Sequence, residues 1–134
     1  MPGHSIVLMT LGYFILFFGF FAFNAGSEVG VAGDAFIPDR IGRSALNTAL
    51  ACSGAFITTL LIYKFGYKMT STKIFRTDIK HPTLWGGYWN LPGAINGGLG
   101  GMVAICAGCF GVEPWAGFVI GCIAGIFFLF FNCQ

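Results

Sequence analysis

Charge is scarce in this sequence, and its scarcity excludes whole classes of protein. Asp, Glu, Lys and Arg make up 9% of 134 residues, against about a quarter in soluble domains, so a water-soluble globular protein is excluded. From Ile6 to Ser27 there is no charged residue at all. That stretch therefore lacks the polar face that a surface helix sets opposite its apolar stripe. The Lys and Arg residues sit in two loops rather than along a face, which leaves no basic stripe for nucleic acid. There are two histidines, His4 and His81, each in a terminal or loop segment beside proline, and both read as solvated loop residues rather than ligands. No Ser/His/Asp grouping, no paired carboxylates within a span and no phosphate loop occur, so an enzyme has no residue set to stand on. We expect no catalytic activity, no metal and no cofactor.

What is present is apolar sequence in four long runs. Ile6–Ser27 reaches about 33 Å as a helix, enough to cross the ~30 Å hydrocarbon core of a bilayer. Further spans are expected over 43–63, 93–110 and 115–131, the last opening on an interfacial Trp115. The fold class expected is all-α: a polytopic transmembrane helical bundle in contact with membrane lipid. The second span is rich in Ala, Ser and Thr, which let neighbouring helices approach and hydrogen-bond across, so it should sit among other helices. Glu28–Gly42 reads as a loop. Lys64–Pro92 is the longest polar segment and carries Lys64, Lys68, Lys73, Arg76 and Lys80 against Asp78 alone. By the positive-inside rule it is cytoplasmic, which runs the first span from inside to outside and puts Asn24–Ser27 at its outer end. Gly97/Gly101 and Gly117/Gly121/Gly125 are small residues four apart, a face for close backbone packing expected to join the third and fourth spans. The first run is span length with no basic segment before it, so no cleavable signal is expected. The chain starts almost inside a span and stops just after one, as a piece of a longer protein would.

All five cysteines (Cys52, Cys106, Cys109, Cys122, Cys133) fall in or at the ends of apolar runs, where a thiol behaves mostly as a small hydrophobe. Cys106 and Cys109 have CxxC spacing, but no second pair or nearby His completes the four ligands a zinc site needs. Phe23 and Ser27 are i and i+4 and share a helix face. One reading is a pore mouth: the ring can attract a cation, and the hydroxyl can accept a hydrogen bond from an N–H donor. The plainer reading is that Ser27 caps the helix and Phe23 is packing, and spacing alone favours it. Asn24 lies on a different face and is expected to bond a neighbouring helix, as are Asn47, Thr48, Ser53, Thr58 and Thr59. Asn96 reads as a helix-end residue.

Taken together these residues resemble a known family. Pro2-Gly-His-Ser followed by Leu11–Ser27, LGYFILFFGFFAFNAGS, is similar to a signature of the Amt ammonium transporter/channel family. The Asn-Ala-Gly-Ser form favours the Amt branch over the Rh branch. ALNTALACSGAFITTLLI and AINGGLGGMVAICAGCFGVEPWAGFVIGCIAG continue the resemblance in order, over nearly the whole chain except Thr70–Tyr88. The resemblance implies an eleven-span fold of which this chain supplies about the sixth to ninth spans, in one partial transmembrane domain. It implies ammonium or ammonia as substrate, a homotrimer with one pore per subunit, and the plasma membrane as location. It places Phe23 at the outer gate, Ser27 at the external ammonium recruitment site and Leu16 on the pore wall. Phe20 takes a pore-lining position where the family usually has Trp. The family's paired pore histidines lie on spans outside this sequence, and neither His4 nor His81 takes their place. The orientation it implies agrees with that drawn from the Lys/Arg distribution. Two rivals stand beside this reading: a non-transporting four-span protein with a structural or assembly role, and a membrane enzyme using Cys106 and Cys109 as a redox pair.

Overall fold

The computed structural model describes residues 5–27, 37–70 and 89–132. His4, Glu28, Asp34, the basic cluster Lys73, Arg76 and Lys80, Asp78, His81 and Cys133 lie outside the described residues. Four helices carry the rest: α1 (Ile6–Gly26), α2 (Ile37–Thr70), α3 (Leu91–Ile105) and α4 (Pro114–Asn132). α1, α4 and the Asp39–Phe65 part of α2 are each long and apolar enough to cross a membrane. The fold is a helical membrane bundle.

Local chemistry sets most helix ends. α1 opens at Ser5, whose Oγ accepts the Leu8 N–H at 3.4 Å, an N-cap that satisfies one of the free first-turn donors. α2 starts at Ile37 rather than at the expected residue 43. Pro38 stands where a missing N–H costs nothing. Asp39 in the first turn suits the helix dipole and pairs with Arg43 one turn on at 3.6 Å. The stretch 37–42 read as loop is therefore helical, and at the far end the helix continues through Thr70 instead of stopping near Tyr63. α3 is capped by Asn90, whose Oδ1 accepts the Gly93 N–H at 3.1 Å. Asn96, expected at a helix end, lies inside α3.

α3 also ends early. A helix was expected through Phe110, yet it stops at Ile105. At about 1.5 Å per residue that is about 22 Å, too short to span a bilayer alone. The chain then tightens into i→i−3 turns: the Cys106 N–H reaches Val103 O at 3.2 Å, Gly108 reaches Ile105 O at 3.0 Å and Gly111 reaches Gly108 O at 3.0 Å. Such tightening is a common way to finish a helix. Buried backbone groups left over by such turns need partners, and α2 supplies them. Asn47 Nδ2 donates to both Cys109 O at 2.7 Å and Val112 O at 2.8 Å.

α2 is the centre of the bundle, with α1, α3 and α4 all laid against it, and α3 and α4 also touch each other. The closest approach is at Ala51, fully buried. A Cβ added at Gly101 of α3 would lie 2.5 Å from the Ala51 carbonyl oxygen, and one at Gly121 of α4 would run into the same carbonyl. The expectation that these glycines join the third span to the fourth is thus corrected: both glycine faces seat on α2. Spacing identifies a face, but the partner is chosen by the small residues Ala51, Gly54 and Ala55 that α2 offers.

Candidate functional site

Leu16, Phe20, Phe23 and Ser27 are spaced i, i+4, i+7 and i+11, so on a helix of 3.6 residues per turn they form one narrow stripe. The stripe is largely uncovered. Leu16 is 50% exposed and Phe23 61%, Ser27 is exposed and Phe20 half-buried. The Phe20 and Phe23 rings meet edge to face with centroids 6.3 Å apart, a favoured aromatic geometry. The adjoining face of α1 packs on α2: Tyr13 stacks on Phe17 at 6.1 Å and meets Phe56 of α2 at 6.4 Å.

Ser27 is the C-cap of α1. Its N–H and its hydroxyl both donate to the Phe23 carbonyl, at 3.0 Å and 2.5 Å. The hydroxyl proton is therefore committed to the backbone, and the oxygen's lone pairs remain to accept from an incoming N–H donor. Capping and ligand binding are not alternatives here, because one hydroxyl does the first with its proton and offers the second with its oxygen. Phe23, by contrast, does not behave as packing against the described helices, since it stands out from them.

Behind the stripe lies a buried polar cluster. Asn24, 2% exposed, donates from Nδ2 to Thr48 Oγ1 at 3.0 Å, the cross-helix bond expected of it. Thr48 Oγ1 in turn donates to Ser44 O at 2.8 Å. Ser44 Oγ bonds Cys109 Sγ at 3.0 Å. The Cys109 thiol lies 3.9 Å from Asn24 O and 3.7 Å from Cys106 O. Asn47 also behaves as expected, bonding across to the α3–α4 turn. Ser53 and Thr59 do not: their hydroxyls turn back to Leu50 O and Ala55 O of their own helix, the local bond Ser and Thr commonly make.

Sequence reasoning missed the polar parts played by cysteine. Cys109 joins α2 to the α3–α4 turn, and Cys52 Sγ lies 2.9 Å from the Tyr13 hydroxyl, tying α1 to α2. The positions of Tyr13 and Cys52, on α1 and α2, carry no signal that would have paired them. Cys52, Cys106, Cys109 and Cys122 are free thiols. Among the described residues no group of three or more His, Cys, Asp or Glu is placed to hold a metal.

The same end of the bundle carries an exposed charged rim. Arg43 bridges Asp39 at 3.6 Å and Glu113 at 3.2 Å, and Arg40 lies over the Phe110 ring at 5.6 Å. These contacts, with those of Asn24 and Asn47, place the end of α1, the start of α2, the α3–α4 turn and the start of α4 together. Trp115, 72% exposed, marks that end. Trp89, 59% exposed with Lys64 Nζ 5.1 Å from its ring centroid, lies by the start of α3. Exposed Trp near both ends of a bundle suits the two interfaces of a membrane.

Comparison with known proteins matches residues 1–131 to the Ammonium Transporter Family. Ammonium transporter 1 member 1 of Solanum lycopersicum is 37% identical over 97% of this chain and 24% of its own length. Ammonium transporter 1 member 4 of Arabidopsis thaliana is 37% identical over 91% of this chain and 22% of its own. The putative ammonium transporter 1 of Caenorhabditis elegans is 38% identical over 97% of this chain and 21% of its own. The chain thus spans about a quarter or less of the length of these relatives. No solved structure matches it.

Proposed function

This chain belongs to the ammonium transporter family, and from that premise we propose that it forms the outer part of the conduction path of an ammonium transporter. Ser27 accepts a hydrogen bond from ammonium at the outer mouth. Phe23 stands at the constriction beneath it, its ring face attracting the cation. Phe20 and Leu16 continue the wall inward. A bare charge is costly to move through an apolar pore, so ammonium gives up its proton and passes as the neutral amine. Lys64–Pro92 faces the cytoplasm and Ser27 the outside. The complete protein is a homotrimer of the plasma membrane with one pore per subunit.

The observation that carries this reading is the uncovered stripe Leu16–Phe20–Phe23–Ser27, apolar along its length and ending in a hydroxyl oxygen left free to accept. A redox enzyme would instead be organised around Cys106 and Cys109. The test is ammonium uptake against concentration in a protein of full family length carrying this segment, at matched surface expression. One hydrogen bond to a charged group is worth about 1.5–3 kcal/mol at most, and the cation keeps other partners. Ser27→Ala should therefore raise the half-saturating concentration by roughly tenfold or less, at ~1.4 kcal/mol per decade. Phe23→Ala should change maximal rate or selectivity more than half-saturation. Parental behaviour of both variants would return Ser27 and Phe23 to capping and packing alone.

A further inference from the structure

We infer that Asn24 is a positioning residue for the outer mouth: with Thr48, Ser44 and Cys109 it fixes the rotation of the last turn of α1, and so the direction in which Phe23 and Ser27 face. The inference rests on reading that stripe as the ammonium-recruiting face.

Asn24 is the one buried residue of α1, and it lies next to Phe23 in the last turn. It is held twice. Its side chain donates to Thr48 on α2 at 3.0 Å, while its main-chain carbonyl faces the Cys109 thiol at 3.9 Å. That carbonyl is among the last four of the helix, which have no partner within it, so an outside donor is useful there. Thr48 and Cys109 are themselves joined through Ser44, which lends its carbonyl to the first and its hydroxyl to the second. A closed ring of polar contacts thus ties α1 to α2 and to the α3–α4 turn at the level of the mouth.

Elsewhere among the described residues α1 has one directional tie, the Tyr13 hydroxyl against Cys52 Sγ at 2.9 Å about three turns from the mouth, and it otherwise packs through apolar side chains such as Phe17. Apolar packing of this kind is not directional, and it resists rotation about the helix axis less than hydrogen bonds of fixed geometry do. The lever is considerable. A side-chain tip about 5–6 Å from the axis moves by about 2 Å for a turn of ~20°. Misplacement of about 1 Å can cost ~10²-fold where groups must be oriented. The Asn24 side chain donates to Thr48 on α2 rather than to a side chain of the stripe, so it acts through Phe23 and Ser27 rather than on ammonium.

The test uses the same full-length protein, with uptake measured against ammonium concentration and normalised to surface protein. Asn24→Ala should raise the half-saturating concentration by about threefold to tenfold, as expected for losing one interhelical bond of this kind. Thr48→Val, which keeps the shape but removes the hydroxyl, should move it in the same direction, and Thr48→Ser should restore parental behaviour. In the double variant Asn24→Ala/Ser27→Ala, loss of Asn24 should add little to the half-saturating concentration beyond Ser27→Ala, because recruitment runs through the Ser27 oxygen, while any effect through Phe23 shows in maximal rate or selectivity. If Asn24→Ala does not reach the membrane, Thr48→Val and its combination with Ser27→Ala carry the same comparison. Lower surface protein with parental half-saturation, or fully additive effects in the double variant, would overturn the inference while leaving the functional reading intact. A parental response of Ser27→Ala alone would overturn this inference, and parental responses of both Ser27→Ala and Phe23→Ala would overturn the functional reading with it.

Discussion

Replacing Gly121 by leucine should be among the most damaging single changes in this segment, and the structure says why. Gly121 sits where α4 crosses α2, and a Cβ there would overlap the Ala51 main-chain carbonyl. No side chain can swing aside to relieve a clash with backbone, so α4 must retreat as a body. The retreat opens the neighbouring contacts on the same face. Gly117 lies where a Cβ would be 3.2 Å from Asn47 Oδ1, and Gly125 where one would be 2.9 Å from Ala55 O. Between helices in lipid this van der Waals contact is the main source of association, since burial from water is not available. Overpacking typically costs 1–3 kcal/mol and occasionally more; the rigidity of the obstacle puts Gly121→Leu at about 3 kcal/mol. Phe127→Leu is the control, since Phe127 is 58% exposed and should stay within about ±0.5 kcal/mol. Thermal unfolding in detergent of the full-length protein carrying each variant should show a clearly lowered midpoint for Gly121→Leu only, with Gly121→Ala between. Equal midpoints for Gly121→Leu and Phe127→Leu would refute the tight α2–α4 contact.

Two further outcomes are expected. In a background without native cysteines, Thr72→Cys should label only from the cytoplasmic side and Ala35→Cys only from outside, because Lys and Arg crowd the segment after α2; labelling of Thr72→Cys in intact cells would reverse the orientation. Asn47→Leu should destabilise the full-length protein by about 3 kcal/mol, because it strips the donors from the buried Cys109 carbonyl and the part-buried Val112 carbonyl at about 1–3 kcal/mol for a buried orphaned group; a parental unfolding midpoint would show that the α3–α4 turn holds itself.

Much of the architecture was legible because a membrane imposes long apolar runs, and the helices α1 and α4 lie over the first and the last of them. The central place of α2 followed from its mild, small-residue composition. Two ends were misjudged for opposite reasons. Pro38 and Asp39 look like loop residues among glycines, yet both are good first-turn residues, so α2 begins earlier. The apolar run through Phe110 hides the end of α3, because what supports the turn after Ile105 is Asn47, more than 50 residues away in sequence. Glycine spacing gave the faces of α3 and α4 but not their shared partner Ala51, a fact of tertiary packing. At the candidate site the i, i+4 relation of Phe23 and Ser27 was legible, and Asn24 was correctly turned away from it. Leu16 and Phe20 entered only through family resemblance, and their place on the same stripe needed the helix itself. The Cys109 link was hidden because cysteine in an apolar run reads as a hydrophobe.

The central claim is that the Leu16–Phe20–Phe23–Ser27 stripe faces the conduction path, and site-directed thiol blocking tests it most directly. In a full-length, cysteine-free transporter carrying this segment, Phe23→Cys and Ser27→Cys would be treated from outside with a small water-soluble thiol reagent while ammonium uptake is followed. Phe18→Cys serves as the comparison, since Phe18 is 77% exposed but lies about half a turn round the helix from the stripe. The account predicts rapid block of uptake at Phe23 and Ser27, slowed by saturating ammonium at Ser27, and no block at Phe18. Block at Phe18 with none at Phe23 and Ser27 would contradict it.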